Sequence, residues 1–313
     1  MDVAWYPEVW EPTTENIILT IGNFDGLHKG HKTLLSTLVE RAREHNAQAV
    51  VGTFYPHPQE IITDEEYPVL TPLEEQLAWL QTEGEIDTVL VFSFTPELQQ
   101  MEPRAFYERV VFPYVTPFHL IVGTDHRFGY HGQGSSHVLN RLGTEYGLAV
   151  EELALASAHN RPISSRDIRD ALQAGDVEHA AMWLGRPYQL QGTVEAGKGW
   201  GRTIGFPTAN MNLSDRKFLP RRGVYVVRAY AESEPHPYIG VMNVGYNPVV
   251  EARSTPAVEV HLLDFENISL KGVTLRVDVL TFIRPEHEAG TIEDLKLWIQ
   301  KDIVFAREYM DRQ

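Results

Sequence analysis

The sequence predicts an α/β domain followed by a β domain, and three observations carry that prediction. Up to Gly123, short and continuously apolar runs alternate with helix-like runs. Such runs suit strands buried on both faces of a parallel sheet, the doubly wound α/β arrangement. Beyond Gly192 the apolar residues take period two in several closely spaced runs, the pattern of an antiparallel barrel. The third observation is an amphipathic segment, Thr291 to Tyr309, with Ile292, Leu295, Trp298, Ile299 and Ile303 near helical spacing. It reads as a closing helix, and Thr291 with Asp294 three residues on has the form of a capping box. The change of character sets a boundary near Gly185-Arg186-Pro187, giving domains over 1–185 and 186–313.

In chain order, Ile17 to Ile21 is a strand and Lys32 to Arg41 a helix. Ala47 to Phe54 is the next strand, Leu73 to Leu80 a helix, and Thr88 to Phe94 a strand. Pro103 to Val111 is helical, and Phe118 to Gly123 is the fourth strand. In the second half Gly223–Tyr230, Tyr238–Val244, Ala257–Leu263 and Val273–Leu280 are strands.

Composition sets the bounds. A length of 313 residues with 43% hydrophobic content suits two globular domains with their own cores. No apolar run reaches the roughly 20 residues of a membrane span. The start, Met1 to Pro7, lacks a basic n-region and an apolar h-region, so no signal peptide is expected. Cysteine is absent, which excludes disulfides and thiolate metal sites and is compatible with a reducing cytoplasm. Net charge is -16 and no Lys/Arg stripe is present, so no nucleic-acid partner is expected. Any anionic substrate must be held by local donors against the field of the whole chain.

The chemistry-bearing stretches sit where strands end. Gly22-Asn23-Phe24-Asp25-Gly26-Leu27-His28-Lys29-Gly30-His31 joins the first strand to the first helix. A helix start offers free N–H groups and a positive dipole end. Gly26 and Gly30 allow a tight bend or close approach, and His28 and His31 share one helix face. The residues read alone also fit a surface turn with two histidines. Thr53-Phe54-Tyr55-Pro56-His57-Pro58 follows the second strand, and its prolines would hold His57 rigidly in a site or in a plain stiff turn. After the fourth strand come Asp125, able to accept from an amine, Arg127, able to clamp phosphate, and Phe128, able to stack on a flat ring. Gly129, Gly132 and Gly134 would make the following turn mobile. Ser164-Ser165 precedes a helix that carries Arg169, a second helix-start anion site or simple capping.

The richest stretch of the second half runs from Gly197 through Gly199, Gly201, Gly205 and Pro207 to Thr208 and Asn210. Its glycines suggest a phosphate cradle without P-loop spacing, or a flexible hairpin. Thr208 and Asn210 offer hard oxygen ligands suited to Mg²⁺ shared with phosphates. Glu259 sits mid-strand. Facing a barrel interior it would be a base with a raised pKa, and on the outer face an ordinary surface carboxylate.

Together these residues resemble the prokaryotic bifunctional riboflavin kinase/FMN adenylyltransferase family, the FAD synthetases, from about Ile17 to about Ala306. The likeness rests on Gly22 to Gly26 with His28, Gly30 and His31, and on Pro56-His57-Pro58. It includes Gly123 with Asp125 and Arg127-Phe128-Gly129, Ser164-Ser165 with Ile168-Arg169, and Leu184 to Tyr188. It continues with Gly205-Phe206-Pro207-Thr208-Ala209-Asn210, Gly223-Val224-Tyr225, Glu259 with His261 and Leu262, and Ile283-Arg284. The resemblance implies a Rossmann-like nucleotidyltransferase domain and a riboflavin kinase barrel, both dependent on ATP and Mg²⁺. The barrel would phosphorylate riboflavin to FMN with ADP released. The first domain would adenylylate FMN to FAD with pyrophosphate released. Glu259 would be the kinase base, Thr208 and Asn210 the metal ligands, and Gly197, Gly199, Gly201, Gly205, Pro207 and Arg284 the kinase's ATP and flavin contacts. In the first domain His28, His31 and Arg169 would act on the phosphates. Gly22, Asn23, Phe24, Asp25, Gly30, Ser164 and Ser165 would bind ATP there, and His57, Pro58, Asp125, Arg127 and Phe128 would line the FMN site. No membrane partner and a cytoplasmic location are expected.

The sequence departs from the family pattern at five positions. His126 replaces Phe, Gly132 a basic residue, Arg166 the Thr of Ser-Ser-Thr, Lys271 a Tyr before Gly272, and Ala289 a Phe. Three of these lie in the adenylyltransferase half. A chain with only the kinase active, or a flavin-binding protein without turnover, stays open at this point.

Overall fold

The structure, a computed structural model, describes residues 1–6, 16–83, 85–113, 115, 117–154, 157–158, 161–197, 200–232, 234–245, 257–265, 269–286 and 291–312. The chain forms two compact units, Met1–Ser165 and Arg166–Gln313.

The first unit is built on a six-stranded sheet in the order β1-β4-β3-β2-β5-β6, with β1 Asp2–Tyr6, β2 Ile17–Ile21, β3 Gln48–Tyr55, β4 Thr88–Ser93, β5 His119–Gly123 and β6 Ala149–Leu153. Every pairing in it is parallel. The apolar runs are apolar throughout because each strand feeds two cores. Ile17, Leu19 and Ile21 join Leu90, Phe92, Leu120 and Tyr107 on one face, while Ile18 joins Val51, Val89, Leu38 and Leu80 on the other. The connecting helices are α1 Lys29–His45, α2 Pro58–Thr63, α3 Leu73–Glu83, α4 Pro96–Gln99, α5 Pro103–Phe106 and α6 Ser136–Tyr146. The segment expected as one helix over 103–111 changes hand-hold midway. Tyr107–Val111 is a π-helical turn, with the Phe112 N–H on the Tyr107 carbonyl. Strands β1 and β6 escape sequence reading, since each is only five residues long and lies at a sheet edge with exposed or half-buried residues. The topology has one functional consequence. The chain runs outward from β2 through β3 to β4, then returns to the other side of β2 as β5, so the β2/β5 boundary is the switch point where such sheets bind ligands.

The short pair β7 Ser157–Ala158 and β8 Arg161–Pro162 leads to α7 Ser165–Ala174 and α8 Val177–Leu184. The second unit then closes as a barrel, β10-β13-β12-β11-β14-β9, from β9 Tyr188–Glu195, β10 Ala209–Leu213, β11 Gly223–Ala231, β12 Tyr238–Gly245, β13 Ala257–Leu262 and β14 Thr274–Arg284. All six pairings are antiparallel. Tyr225, Met242, Val260, Val277 and Leu190 fill the interior with no exposure. The helix α9 Trp200–Ile204 lies between β9 and β10, and α10 Ile292–Asp311 closes the chain. Thr291 caps α10 as expected, its Oγ1 accepting from the Asp294 N–H at 3.1 Å. Ala306, Ile303 and Met310 of α10 pack on Val224, Val226 and Val241 from the outside of the barrel. The helices α7 and α8 belong to this unit: the Arg221 N–H donates to the Leu172 carbonyl at 2.8 Å. Packing therefore divides the chain before α7, whereas the strand-rich composition begins after α8.

Candidate active sites

The first site forms at the switch point. Gly22 leaves β2 with its N–H still on the Gly52 carbonyl at 3.0 Å. The chain then reverses through three left-handed residues, Phe24 (φ 50°), Gly26 (φ 86°) and Leu27 (φ 46°). For Phe and Leu that conformation costs about 1–3 kcal/mol each, and both are held in it by complete burial. The turn delivers His28 as the N-cap of α1. Its Nδ1 accepts from the His31 N–H at 3.4 Å, which in the neutral ring leaves the proton on Nε2. The two imidazoles stack with centroids 3.7 Å apart, and Phe24 lies 5.2 Å beneath His31.

Ser164 and Ser165 come to the same place. Ser165 Oγ donates to the Asp25 carbonyl at 2.8 Å, and Ser164 stands immediately before the first residue of α7. A long-range bond thus unites two motifs that are far apart in sequence. Gly22, Asn23, Gly30, His28, His31, Ser164 and Ser165 lie on the two loop-to-helix junctions that this bond joins. Phe24 and Asp25 lie beneath them. Phe24 has no exposure, and Asp25 is 4% exposed with its carboxylate accepting from the Thr71 N–H at 3.0 Å. Both support the loop from below, because the left-handed turn directs them inward. Arg169 belongs to the second unit, its guanidinium 5.8 Å from the Phe218 ring centroid.

Sequence reading missed Gln76. Its amide, 4% exposed, donates to the Asn23 carbonyl at 3.1 Å and to Thr53 Oγ1 at 3.3 Å, fixing the first peptide of the loop to β3. The one available signal was an amide in the helical stretch 73–80. His57 caps α2, its Nδ1 accepting from the Gln59 N–H at 3.3 Å, with Pro58 as first helical residue; its ring stacks on Tyr67 at 4.7 Å.

After β5, Asp125 and Arg127 are exposed, and Arg127 Nη1 donates to the His126 carbonyl at 2.8 Å. Phe128 is 9% exposed, edge-on to Tyr107 at 5.2 Å and stacked on His126 at 5.3 Å, so its ring packs in the core. The glycine-rich turn beyond it is tied down: Phe128 and Gly134 form a two-way backbone bridge, and Tyr130 N–H donates to the Met101 carbonyl at 2.8 Å. A Cβ at Gly129 would fall 2.7 Å from Pro103, so that glycine serves close packing. His126, the departure from Phe, does an aromatic's job. Burial, then the charge of Arg127, pushes its pKa down to about 4, so the ring is neutral at physiological pH.

The second site lies on the outer face of the barrel. Strand register decides this. Glu259 is opposed by Asn210 on β10 and by Asn243 on β12, and opposed residues share a face. Asn243 in turn opposes Val224, which lies beneath α10 outside the barrel. Val258 and Val260 on either side of Glu259 point inward. Glu259 is on the outer face, where it is half-buried rather than an ordinary surface carboxylate. The segment 205–208 covers it. Thr208 Oγ1 donates to Glu259 Oε2 at 3.4 Å, and the His261 Nδ1 lies 2.8 Å from the Pro207 carbonyl. Burial raises the Glu259 pKa from its ordinary value, the Thr208 hydrogen bond opposes that, and nearby Glu286 adds to it. Glu286, unforeseen in the sequence, also accepts from Asn243 Nδ2 at 3.5 Å.

Gly197, Gly201, Gly205, Pro207, Thr208, Asn210 and Glu259 converge here; Gly199 and Ala289 lie outside the described residues. A Cβ at Gly197 would land on the Asn210 amide, and one at Gly201 on the Phe206 carbonyl. Arg284 is held within the unit: its Nε and Nη2 donate to the two carboxylate oxygens of Asp302 at 3.0 and 2.7 Å, and Nη1 donates to the Pro285 carbonyl at 3.2 Å. The guanidinium fastens α10 to β14, because Asp302 is buried and needs a full partner.

Comparison with known proteins assigns a family to each half of the chain. Residues 11–167 match the FAD synthetase family model and residues 184–310 the riboflavin kinase family model. A bifunctional riboflavin kinase/FMN adenylyltransferase of Pseudomonas fluorescens is 35% identical over 296 residues, 95% of this chain and 94% of that one. The Escherichia coli (strain K12) protein of the same name is 36% identical, covering 94% and 93%. A crystal structure titled as a macrolide-efflux protein from Streptococcus pneumoniae shares the fold over 98% of this chain and 99% of that one, with TM-score 0.85 at 26% identity. That title describes that protein; among the described residues here no helix is long and apolar enough to cross a membrane. Two family models in order, and relatives matched over more than nine-tenths of both lengths, place the chain in the bifunctional riboflavin kinase/FMN adenylyltransferase family, which uses ATP to phosphorylate riboflavin to FMN and to adenylylate FMN to FAD.

Proposed function

We propose that the kinase reaction is carried by Glu259, Thr208 and Asn210 on the outer barrel face, and FAD formation by the helix-start site at β2. The observation that carries the first assignment is the convergence of Thr208 Oγ1 on Glu259 Oε2 at 3.4 Å, with Asn210 directly opposite. Glu259 takes the proton of the ribityl 5′-hydroxyl as its oxygen attacks the γ-phosphorus of ATP, and ADP leaves. A carboxylate partly desolvated beneath a covering loop is suited to that proton transfer. Positioning and charge stabilisation supply the rest. Gly197, Gly201, Gly205 and Pro207 hold the covering segment against the phosphates.

Mg²⁺ fits the donor set. No group of three or more His, Cys, Asp or Glu side chains is arranged for a metal among the described residues. Thr208 and Asn210 are hard oxygen donors, and the Asn210 amide rests in a space that any Cβ at Gly197 would fill. These two residues would hold the ion together with ATP phosphates, as Mg²⁺ prefers. The bound ion would neutralise charge developing on the transferred phosphoryl group.

In the first site an FMN phosphate oxygen attacks the α-phosphorus of ATP and pyrophosphate leaves. His28, His31, Ser164, Ser165 and the α1 start donate to the phosphates. Gly22, Asn23 and Gly30 line the nucleotide, and His57, Asp125 and Arg127 the FMN. We assign the first activity to 1–185 and the kinase to 186–313, and a cytoplasmic location. Incubation with ATP and Mg²⁺ should convert riboflavin to FMN and FAD, and added FMN to FAD. Removing the metal with EDTA should stop FMN formation. Absence of FMN from riboflavin, or its formation undiminished in EDTA, would overturn the kinase assignment.

A further inference from the structure

Glu259 is the middle of three same-face residues on β13, with Ala257 before it and His261 after it. His261 is half-buried and has no part in the chemistry assigned above. Its Nδ1 lies 2.8 Å from the Pro207 carbonyl. A carbonyl only accepts, so Nδ1 carries the proton and donates it. The ring also meets Phe206 edge-on, centroids 5.7 Å apart and planes at 85°. Two steps along the strand, Glu259 accepts from Thr208, the residue immediately after Pro207. One strand therefore grips the covering segment at adjacent residues, through His261 at Pro207 and through Glu259 at Thr208.

The two grips differ in kind. The Thr208–Glu259 contact is long and joins two reacting-site groups that must exchange partners during turnover. The His261–Pro207 contact is short, lies outside the reacting atoms, and fixes a backbone carbonyl whose φ is already locked by proline. It is the fixed end of the pair.

We infer that His261 is a positioning residue of the kinase site, which holds the Pro207–Thr208 peptide through Nδ1–H and so sets the Thr208 hydroxyl on Glu259. This rests on the assignment of Glu259 and Thr208 to the kinase reaction. Small misplacements of such groups cost large rate factors.

The test uses the full-length protein with three variants. Asn places its Nδ2–H close to where the His Nδ1–H stands, so His261→Asn keeps the donor, whereas His261→Ala and His261→Leu remove it. His261→Ala and His261→Leu are expected to lower kinase kcat about tenfold with riboflavin KM unchanged within about twofold, and His261→Asn to recover most of the loss. FMN adenylylation, measured on the same preparations, belongs to the first unit and should be unaffected, while the near-constant riboflavin KM reports that the barrel is folded. Kinase kcat unchanged in His261→Ala, or lost equally in all three variants, overturns the inference. Glu259→Gln measured in parallel separates the two claims. If it retains kinase activity, the assignment of the base fails, whatever His261 does; if it is inactive while His261→Ala is normal, only the role of His261 fails.

Discussion

The two proposed sites would handle the same triphosphate with different materials. At the end of β2 the machinery is mostly backbone: a left-handed turn, a helix start and a sheet switch point, with His28 capping its own helix. On the barrel it is almost wholly side chain: Thr208, Asn210 and Glu259 brought together by strand register and by a loop folded over the outside. A site made of many backbone donors loses a fraction of its strength when one side chain goes. A site made of three side chains loses its chemistry. In a chain of net charge -16, both must gather local donors against an unfavourable overall field.

The contrast is tested first at Glu259. Glu259→Gln keeps the shape and removes the proton acceptor, and should lower FMN formation about 10³-fold while FMN adenylylation stays within twofold. Because burial raises this carboxyl, wild-type kinase turnover should fall as pH drops through that raised value, above the usual carboxylate range. Parallel loss of both activities in the variant would break the separation of the sites.

Arg284 sharpens the distinction between site and scaffold. Arg284→Met leaves the Asp302 carboxylate, 5% exposed, without its guanidinium, and should cost about 3 kcal/mol in denaturant unfolding of the second unit. Unaltered unfolding with a raised KM for ATP or riboflavin would return Arg284 to the ligand.

His126→Phe probes the support under the first site. In the folded unit the His126 pKa is about 4, against 6.5 for the free ring, so the unfolded chain binds a proton first as pH falls. Stability is lost between those two values, roughly 2 kcal/mol by pH 5, and the Phe variant should lack that loss. Identical acid unfolding curves would show that the ring is not buried as described. The smallest effect is expected at His31. His31→Ala should slow FAD formation roughly tenfold, less than the about 10²-fold of a sole donor, because backbone N–H groups remain. No change in FAD kinetics would remove His31 from the phosphate site.

Much of this was legible in the sequence because it is local. Strands β2 to β5 announce themselves as unbroken apolar runs, since each strand serves two cores, and α10 by its spacing and its Thr291 cap. The edge strands β1 and β6 and the barrel strands β9 and β10 carry polar or alternating residues and gave no such signal. Phe128 reads as a ligand group because an aromatic ring suits a flat ligand, and Phe24, Asp25 and Arg284 enter through the family likeness; no local pattern encodes the burial of the first three or the pairing of Arg284 with Asp302, 18 residues away on α10.

The sequence by itself determined the two fold classes, the helix-start motif and the residue types of both sites, all properties of neighbours within a turn or a strand. The tertiary structure alone decided that Ser165 reaches Asp25, that Gln76 holds Asn23, and that Glu259 is half-buried on the outside of a barrel. These depend on register and on which loop covers which face. Such contacts join residues tens of positions apart, and no local periodicity encodes them.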